Sequence, residues 1–412
     1  MWFQSTIGVL GLSLVIGCSA PVAEAQQERD KYARFERFAR VLQEIQEKYV
    51  DEVEADRLWD GAIKGMLSEL DPYSEFITPE KLAQLKVDTE GQFGGIGIEI
   101  SIKEGILTVL TPIVGTPAFR AGLMAGDRIL RVDGKTTEGI TLKEAVGKLR
   151  GKPGESVTLT VLRQGAQAAE EITIAREVIQ VASVRSAKMV DDDARIGYVH
   201  LTCFMEKTAE ELDKGVRRLE QEGMRALILD LRFNPGGRMS AALDVAGRFI
   251  AQGVIATTKG RKPAQGDTYK ASGKDTYSDF PLAVLINSGS AGASEIVAAA
   301  IRDHKRGVLV GEKSFGKGAV QSVIQLEGGK SALKLTTAKY FTPSGESFHG
   351  KGIQPDIEVK LTPHQAKSIT DHMTRERVRE AAKDAKADAA AEPSPDIQLD
   401  AALVLLRQQV KR

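Results

Sequence analysis

The residue types able to do chemistry collect in four short segments. Asp230-Leu231-Arg232-Phe233-Asn234-Pro235-Gly236-Gly237 closes an apolar run with a glycine turn, and Gly289-Ser290-Ala291-Gly292-Ala293-Ser294-Glu295-Ile296 turns from an apolar run into a helical pattern. Gly311-Glu312-Lys313-Ser314-Phe315-Gly316-Lys317-Gly318 follows, with Gln321 four residues beyond Lys317. Thr342-Pro343-Ser344-Gly345 and Gly350-Lys351-Gly352-Ile353-Gln354-Pro355-Asp356 make the fourth. A serine hydroxyl is a poor nucleophile until a base removes its proton. His200, His304, His349, His364 and His372 are scattered singly, in no triad-like setting. A lysine can act as the base where burial disfavours its ammonium form. Lys317 lies between two glycines that let backbone approach closely; the plain alternative is a solvated surface lysine.

In order and spacing these four motifs resemble the carboxyl-terminal processing peptidase (tail-specific protease) family, over most of residues 28 to 412. The resemblance implies a serine endopeptidase of the Ser-Lys type, with Lys317 as general base and Gln321 orienting it. Backbone N–H groups of Gly237 and of Ala293, the residue after the nucleophile position, would form the oxyanion site. In the family the nucleophile is the middle serine of a Ser-Ala-Ser-Ala-Ser-Glu run, and here that position is Gly292, between Ser290 and Ser294. Three explanations compete: a catalytically impaired homologue that binds tails without cutting them, Ser294 as a displaced nucleophile, or Ser290 in that role. Ser294 opens the run Glu295 to Ile301, so its plain role is a helix N-cap. A two-residue displacement moves a side chain several ångströms, at roughly 3.3 Å per extended residue, and catalysis tolerates little misplacement.

A second resemblance lies upstream. Gly95-Ile96-Gly97-Ile98, followed by a strand pattern, is similar to the carboxylate-binding loop of a PDZ domain. Gly115-Thr116-Pro117-Ala118, Ala121-Gly122-Leu123, Gly126-Asp127 and Ile129-Leu130 resemble the second half of that domain. Such a loop holds a peptide's terminal carboxylate on consecutive N–H groups and pairs the peptide as an added strand. The alternative is a structural glycine turn in another small β-domain.

These segments need elements to position them. Tyr32, Phe35, Phe38, Val41, Leu42, Ile45 and Tyr49 recur at helical steps, and a second helix runs from about Glu54 to Leu70, stopped by Asp71-Pro72. Thr78-Pro79-Glu80 reads as another helix start. Short strands include Ile106 to Leu110 and Ser156 to Leu162, with a helix at Leu142 to Leu149. Ala226 to Leu231 and Leu282 to Asn287 are continuous apolar runs, as buried strands are, each followed by a turn and a helix. Strands are expected at Gly307 to Gly311 and Leu333 to Tyr340. A linker is expected over Ala385 to Pro395 and a last helix over Leu399 to Val410. The expectation is an α+β multidomain protein: a signal peptide at 1–25, an N-terminal helical segment at 26–88, a PDZ domain at 89–176, a crotonase-like α/β protease core at 177–360 and a C-terminal helical tail at 361–412.

The apolar run Ile7 to Ile16 is too short to span a bilayer and reads as a signal-peptide core. Ala23-Glu24-Ala25 would allow release, whereas Val15-Ile16-Gly17-Cys18 resembles a lipobox that would anchor the chain through Cys18. Either way the expected place is the periplasmic side of a bacterial envelope. Cys203 stands in an apolar stretch and reads as a small buried hydrophobe. The 56 basic and 56 acidic residues cancel, and nothing argues for nucleic acid. No metal-ligand spacing or nucleotide fingerprint occurs. Expected partners are proteins or peptides with exposed C-termini, with a homo-oligomer or adaptor protein as a further option. The helical ends are candidate assembly surfaces, though packing on their own core is the default. Two rivals stand beside the protease: a tail-binding scaffold with a dead core, and a crotonase-like acyl-CoA enzyme that acyl-CoA binding would reveal.

Overall fold

The computed structural model describes residues 20–79, 81–82, 92–113, 115–163, 166–180, 182–262, 264–277, 279–381 and 395–411. The segment Ile7 to Ile16, Cys18, residue 80 of the Thr78-Pro79-Glu80 start and all but the last residue of the 385–395 linker lie outside this set. The chain divides into two compact units, residues 1–76 and 77–412.

The first unit holds helices Ala20–Lys48 and Ala55–Ser68, with the Phe38 and Trp59 rings 5.4 Å apart. No helix among the described residues is long and apolar enough to cross a membrane.

In the second unit a small antiparallel sheet comes first. Its strands Ile98–Lys103, Ile106–Pro112, Arg128–Val132, Ser156–Leu162 and Glu170–Ala175 follow one another across the sheet, with Ile98–Lys103 at an edge. Alternate residues Val157, Leu159 and Val161 point to its core, as a half-buried strand requires. Helix Leu142–Leu149 starts where Thr141 accepts from the Glu144 N–H and the Glu144 carboxylate accepts from the Thr141 N–H, a capping box. The helix delivers Ala145 and Leu149 to the same core.

The larger sheet runs Val184–Asp191, Ile196–Leu201, Ala226–Asp230, Leu282–Ile286, Val308–Gly311, Ile357–Glu358. All its pairings are parallel except the first. The continuous apolar runs have a structural reason, since both faces are covered. Leu227, Leu229, Leu282, Val284 and Ile286 face helices Thr208–Gln221, Met239–Phe249 and Ala293–Asp303, while Ile228, Ala283 and Leu285 face Ala402 and Leu406 of the last helix, Ile397–Val410. The C-terminal helix therefore packs on its own core, the default expectation for that end. A further antiparallel sheet contains Val254–Gly260, Thr268–Lys270 and the hairpin Ala319–Leu326 with Ser331–Phe341. The first hairpin strand was not expected from sequence.

Candidate active site

Strand Leu282–Ile286 ends in a tightly wired turn. The Asn287 Oδ1 accepts from the N–H groups of Gly289 (3.0 Å) and Phe233 (2.9 Å), and the Asn287 N–H donates to Ser290 Oγ (3.0 Å). Gly292 follows at φ +56° and caps the Ala293–Asp303 helix. Ser294 is thus not the N-cap that its place before Glu295 suggests. It is the second helical residue, because the positive φ at Gly292 turns the chain into the helix two residues earlier. Ser290 and Ser294 are both fully buried. Ser290 Oγ donates to the Leu231 carbonyl (2.8 Å) and Ser294 Oγ to the Asn234 carbonyl (3.0 Å). Each hydroxyl proton is therefore spent tying this turn to the Asp230–Gly237 motif.

Within that motif Asn234 is buried, donating Nδ2 to the Leu201 carbonyl (2.8 Å) and accepting the Gly236 N–H (2.9 Å). A Cβ on Gly236 would lie 2.6 Å from the Ala291 carbonyl oxygen and 3.0 Å from the Ala293 nitrogen, so only glycine lets these two turns touch. Phe204 bridges the glycine pair, donating to the Gly236 carbonyl (2.9 Å) and accepting from the Arg238 N–H (2.8 Å). Among the described residues the N–H groups of Gly237 and Ala293 have no acceptor, and the Gly236 contact brings them into one corner. Beside position 292 there is room, because a Cβ built there meets nothing nearer than the Pro235 carbonyl at 4.0 Å.

Glu295 joins this corner to the lysine loop. Its buried carboxylate accepts four hydrogen bonds: Ser314 Oγ (2.5 Å) and the Gly316 N–H (2.6 Å) on Oε1, and the N–H groups of Gly292 (2.9 Å) and Lys317 (2.8 Å) on Oε2. One oxygen thus holds the backbones of Gly292 and Lys317 together. Burial pushes the Glu295 carboxyl above its usual range against the pull of those donors. Sequence reasoning read Glu295 only as part of a motif; the signal was its capping-box spacing, three residues after Gly292.

Lys317 is half-buried, and burial first, then the charge of Lys334, lowers its ammonium from the ordinary lysine value. Gln321 lies on the following strand, donating Nε2 to Thr336 Oγ1 (2.7 Å), while its buried Oε1 has no hydrogen-bond partner among the described residues.

A buried ion cluster lies at the start of the Asp230–Gly237 motif. Arg232, fully buried, makes paired hydrogen bonds to Asp230 and to Asp396 (2.8 Å to each oxygen) and reaches Gln398 Oε1 (3.2 Å). Tyr198 donates to Asp230 at 2.8 Å. Burial acts to raise the Asp230 carboxyl, and the Arg232 guanidinium overrides it, leaving a net lowering. Asp396 also caps the last helix through the Leu399 N–H. Cys203, expected to be buried, is only partly buried, beside Ser183 and Thr202 just past the end of strand Ile196–Leu201.

In the small sheet domain, the Ile96 carbonyl accepts from the Ala118 N–H (2.8 Å). The Gly97 carbonyl accepts from the Ile113 N–H (2.9 Å) and from Thr116 Oγ1 (3.0 Å). Gly97 adopts φ +78°, with Thr116 within 2.5 Å of any added Cβ. Gly95, Ile96, Gly97 and Ile98 thereby lead into the Ile98–Lys103 edge strand, with Ile96 in the same core as Ala145 and Leu149 of the neighbouring helix.

Comparison with known proteins finds matches in three stretches of the chain. Residues 195–359 match peptidase family S41, residues 108–163 a PDZ domain, and residues 17–81 the "activating protease CtpB N-terminal domain". The chain is 37% identical to a carboxy-terminal-processing protease of Bartonella bacilliformis, covering 97% of this chain and 94% of that one. It is 38% identical to the carboxy-terminal processing protease CtpA of Bacillus subtilis over 81% of this chain and 71% of the relative. Among solved structures, the photosystem II D1 C-terminal processing protease is 32% identical over 77% of this chain and 86% of its own, with a TM-score of 0.47.

Proposed function

Because the chain belongs to peptidase family S41, among its carboxy-terminal-processing proteases, we propose that it captures apolar polypeptide C-termini on its PDZ domain and feeds them to the core around Gly292. The exported, periplasmic setting rests on the Ile7 to Ile16 run and the cleavage patterns after it. Lys317 is the base, its ammonium form disfavoured by burial, and Gln321 is its orienting partner. The N–H groups of Gly237 and Ala293 receive the developing oxyanion.

For the chemistry itself the geometry favours capture over cutting. The single observation carrying this is the state of the two serines: both are buried, and both give their protons to backbone carbonyls of the Asp230–Gly237 motif. Position 292 supplies no hydroxyl. The chain is then an impaired homologue that binds tails on an otherwise assembled core. The cutting reading requires the Ser294 hydroxyl to leave the Asn234 carbonyl and attack the substrate carbonyl, passing its proton to Lys317. Degradation of an unstructured protein with an apolar C-terminus separates the two, using the mature chain beside its Lys317→Ala, Ser294→Ala and Gly292→Ser variants. Inactivity that Gly292→Ser converts to Lys317-dependent cleavage supports capture. Cleavage by the unmodified chain that disappears in both Ser294→Ala and Lys317→Ala overturns it in favour of a displaced nucleophile.

A further inference from the structure

The hairpin strand Ala319–Leu326 begins two residues after Lys317 and carries Gln321. It pairs with Ser331–Phe341 on one side only; among the described residues its other edge has no partner. Open edges are normally blunted by charges, proline or cover, because bare N–H and C=O groups invite another strand. Over residues 323–325, among the described residues, this edge has none of the three. Its eight residues, Ala-Val-Gln-Ser-Val-Ile-Gln-Leu, include no charge and no proline. Val323 and Ile324 are 46% and 42% exposed. Neighbouring residues on a strand point to opposite faces, so the outer part of the hairpin is uncovered on both sides.

We propose that this edge is a second polypeptide-binding site, where the chain handled by the core is held as an added strand leading to Lys317. The proposal rests on the reading that the core receives polypeptide. Continuity argues for that occupant: the strand begins two residues after Lys317, whose backbone shares a Glu295 oxygen with Gly292, so a segment paired along it runs beside the lysine loop. The edge takes an extended, uncharged segment with apolar residues on alternate positions, flanked by Val323 on one face and Ile324 on the other. Main-chain pairing supplies affinity without sequence preference, as suits a site that follows a separate tail-reading domain.

The test uses the full chain and a fluorescein-labelled, extended apolar dodecapeptide with an amidated C-terminus, which gives a carboxylate-binding loop nothing to hold. Anisotropy should register binding, and the Val323→Lys/Ile324→Lys double variant should bind about tenfold more weakly. On the unmodified chain, saturating peptide should slow amide exchange within residues 321–326. No binding of the amidated peptide, or binding that neither the double variant nor exchange at 321–326 registers, overturns the proposal. A chain that self-associates through this edge, and becomes monomeric in the double variant without any loss of peptide affinity, also overturns it in favour of a second copy as occupant. Tail capture by the PDZ domain is judged separately, on the same peptide with a free carboxylate, so the two readings fail independently.

Discussion

Glu295→Gln is the perturbation that most directly probes how the candidate site is assembled. The two carboxylate oxygens divide four donors between them, Ser314 and Gly316 on one, Gly292 and Lys317 on the other. An amide keeps one oxygen and turns the other into a donor. With NH2 in the place of Oε2, the N–H groups of both Gly292 and Lys317 face a donor. With NH2 in the place of Oε1, only the Gly316 N–H does, because Ser314 Oγ, which already accepts the Ile353 N–H at 2.6 Å, can accept once more. The second arrangement wins. It leaves one buried N–H unpaired, at about 1–3 kcal/mol, takes from the Ser314 hydroxyl proton its present acceptor, and reduces two charge-assisted bonds to neutral ones. Relief of carboxylate burial, the cause of the raised Glu295 pKa, offsets part of this. The net expectation is about 2–4 kcal/mol. Urea unfolding followed by far-UV circular dichroism reads the global part. Amide exchange at Gly316, expected to accelerate by about thirtyfold to several hundredfold, reads the local part. A variant within about 1 kcal/mol of the parent, with Gly316 exchange unchanged, would refute the clasp.

Further predictions follow from the other charged groups. Lys317 has its folded pKa lowered, by burial before Lys334, so the folded chain binds fewer protons there than the unfolded one. Stability should therefore rise with pH from that lowered value toward the ordinary lysine value near 10.4. Lys317→Met should flatten this rise in pH-dependent denaturation, and Lys334→Ala should move the Lys317 titration upward by NMR. Arg232→Ala leaves Asp230 and Asp396 buried without their cation and should lower stability by about 3–5 kcal/mol. Asp396→Asn should be milder, mainly speeding amide exchange in Ile397–Val410. Asp191 is held below the usual range, by the Ala194 N–H first and by Arg407 of the last helix next. That contribution is present above the ordinary aspartate value, near 3.9, and is lost as pH falls through the folded value; Asp191→Asn should remove it from the acid limb. Gly97→Val puts a branched side chain at φ +78° against Thr116 and should weaken binding of a free-carboxylate tail at least tenfold by anisotropy, leaving peptidase-core unfolding unchanged.

Much of the fold was legible because burial on both faces writes itself as continuous apolar sequence. Ala226 to Leu231 and Leu282 to Asn287 were readable as strands for that reason, and Leu142 to Leu149 as a helix from its periodicity. The hairpin strand Ala319–Leu326 was not, since an edge exposed on both faces shows no alternation. Arg232 was likewise opaque. Its partner Asp396 lies 164 residues away, so nothing local distinguishes a buried guanidinium from a surface one.

The position of the missing hydroxyl shows what a count along a sequence conveys and what needs geometry. The family resemblance puts the nucleophile position at Gly292, between Ser290 and Ser294; there the chain makes a strand-to-helix turn with a positive φ, lateral room and a backbone N–H that shares one carboxylate oxygen with Lys317. Ser294 is close in sequence, but it lies inside the helix as its second residue, whereas Gly292 caps the helix with a non-helical backbone. The Ser294 hydroxyl meets the Asn234 carbonyl instead and is buried there. Recruiting Ser294 would cost its bond to the Asn234 carbonyl, and any shift of the helix N-terminus that carried it would disturb the Glu295 contacts to Gly292 and Lys317. The same carboxylate that assembles the site therefore works against a displaced nucleophile, so Gly292→Ser should restore chemistry more readily than any rearrangement of the native serines.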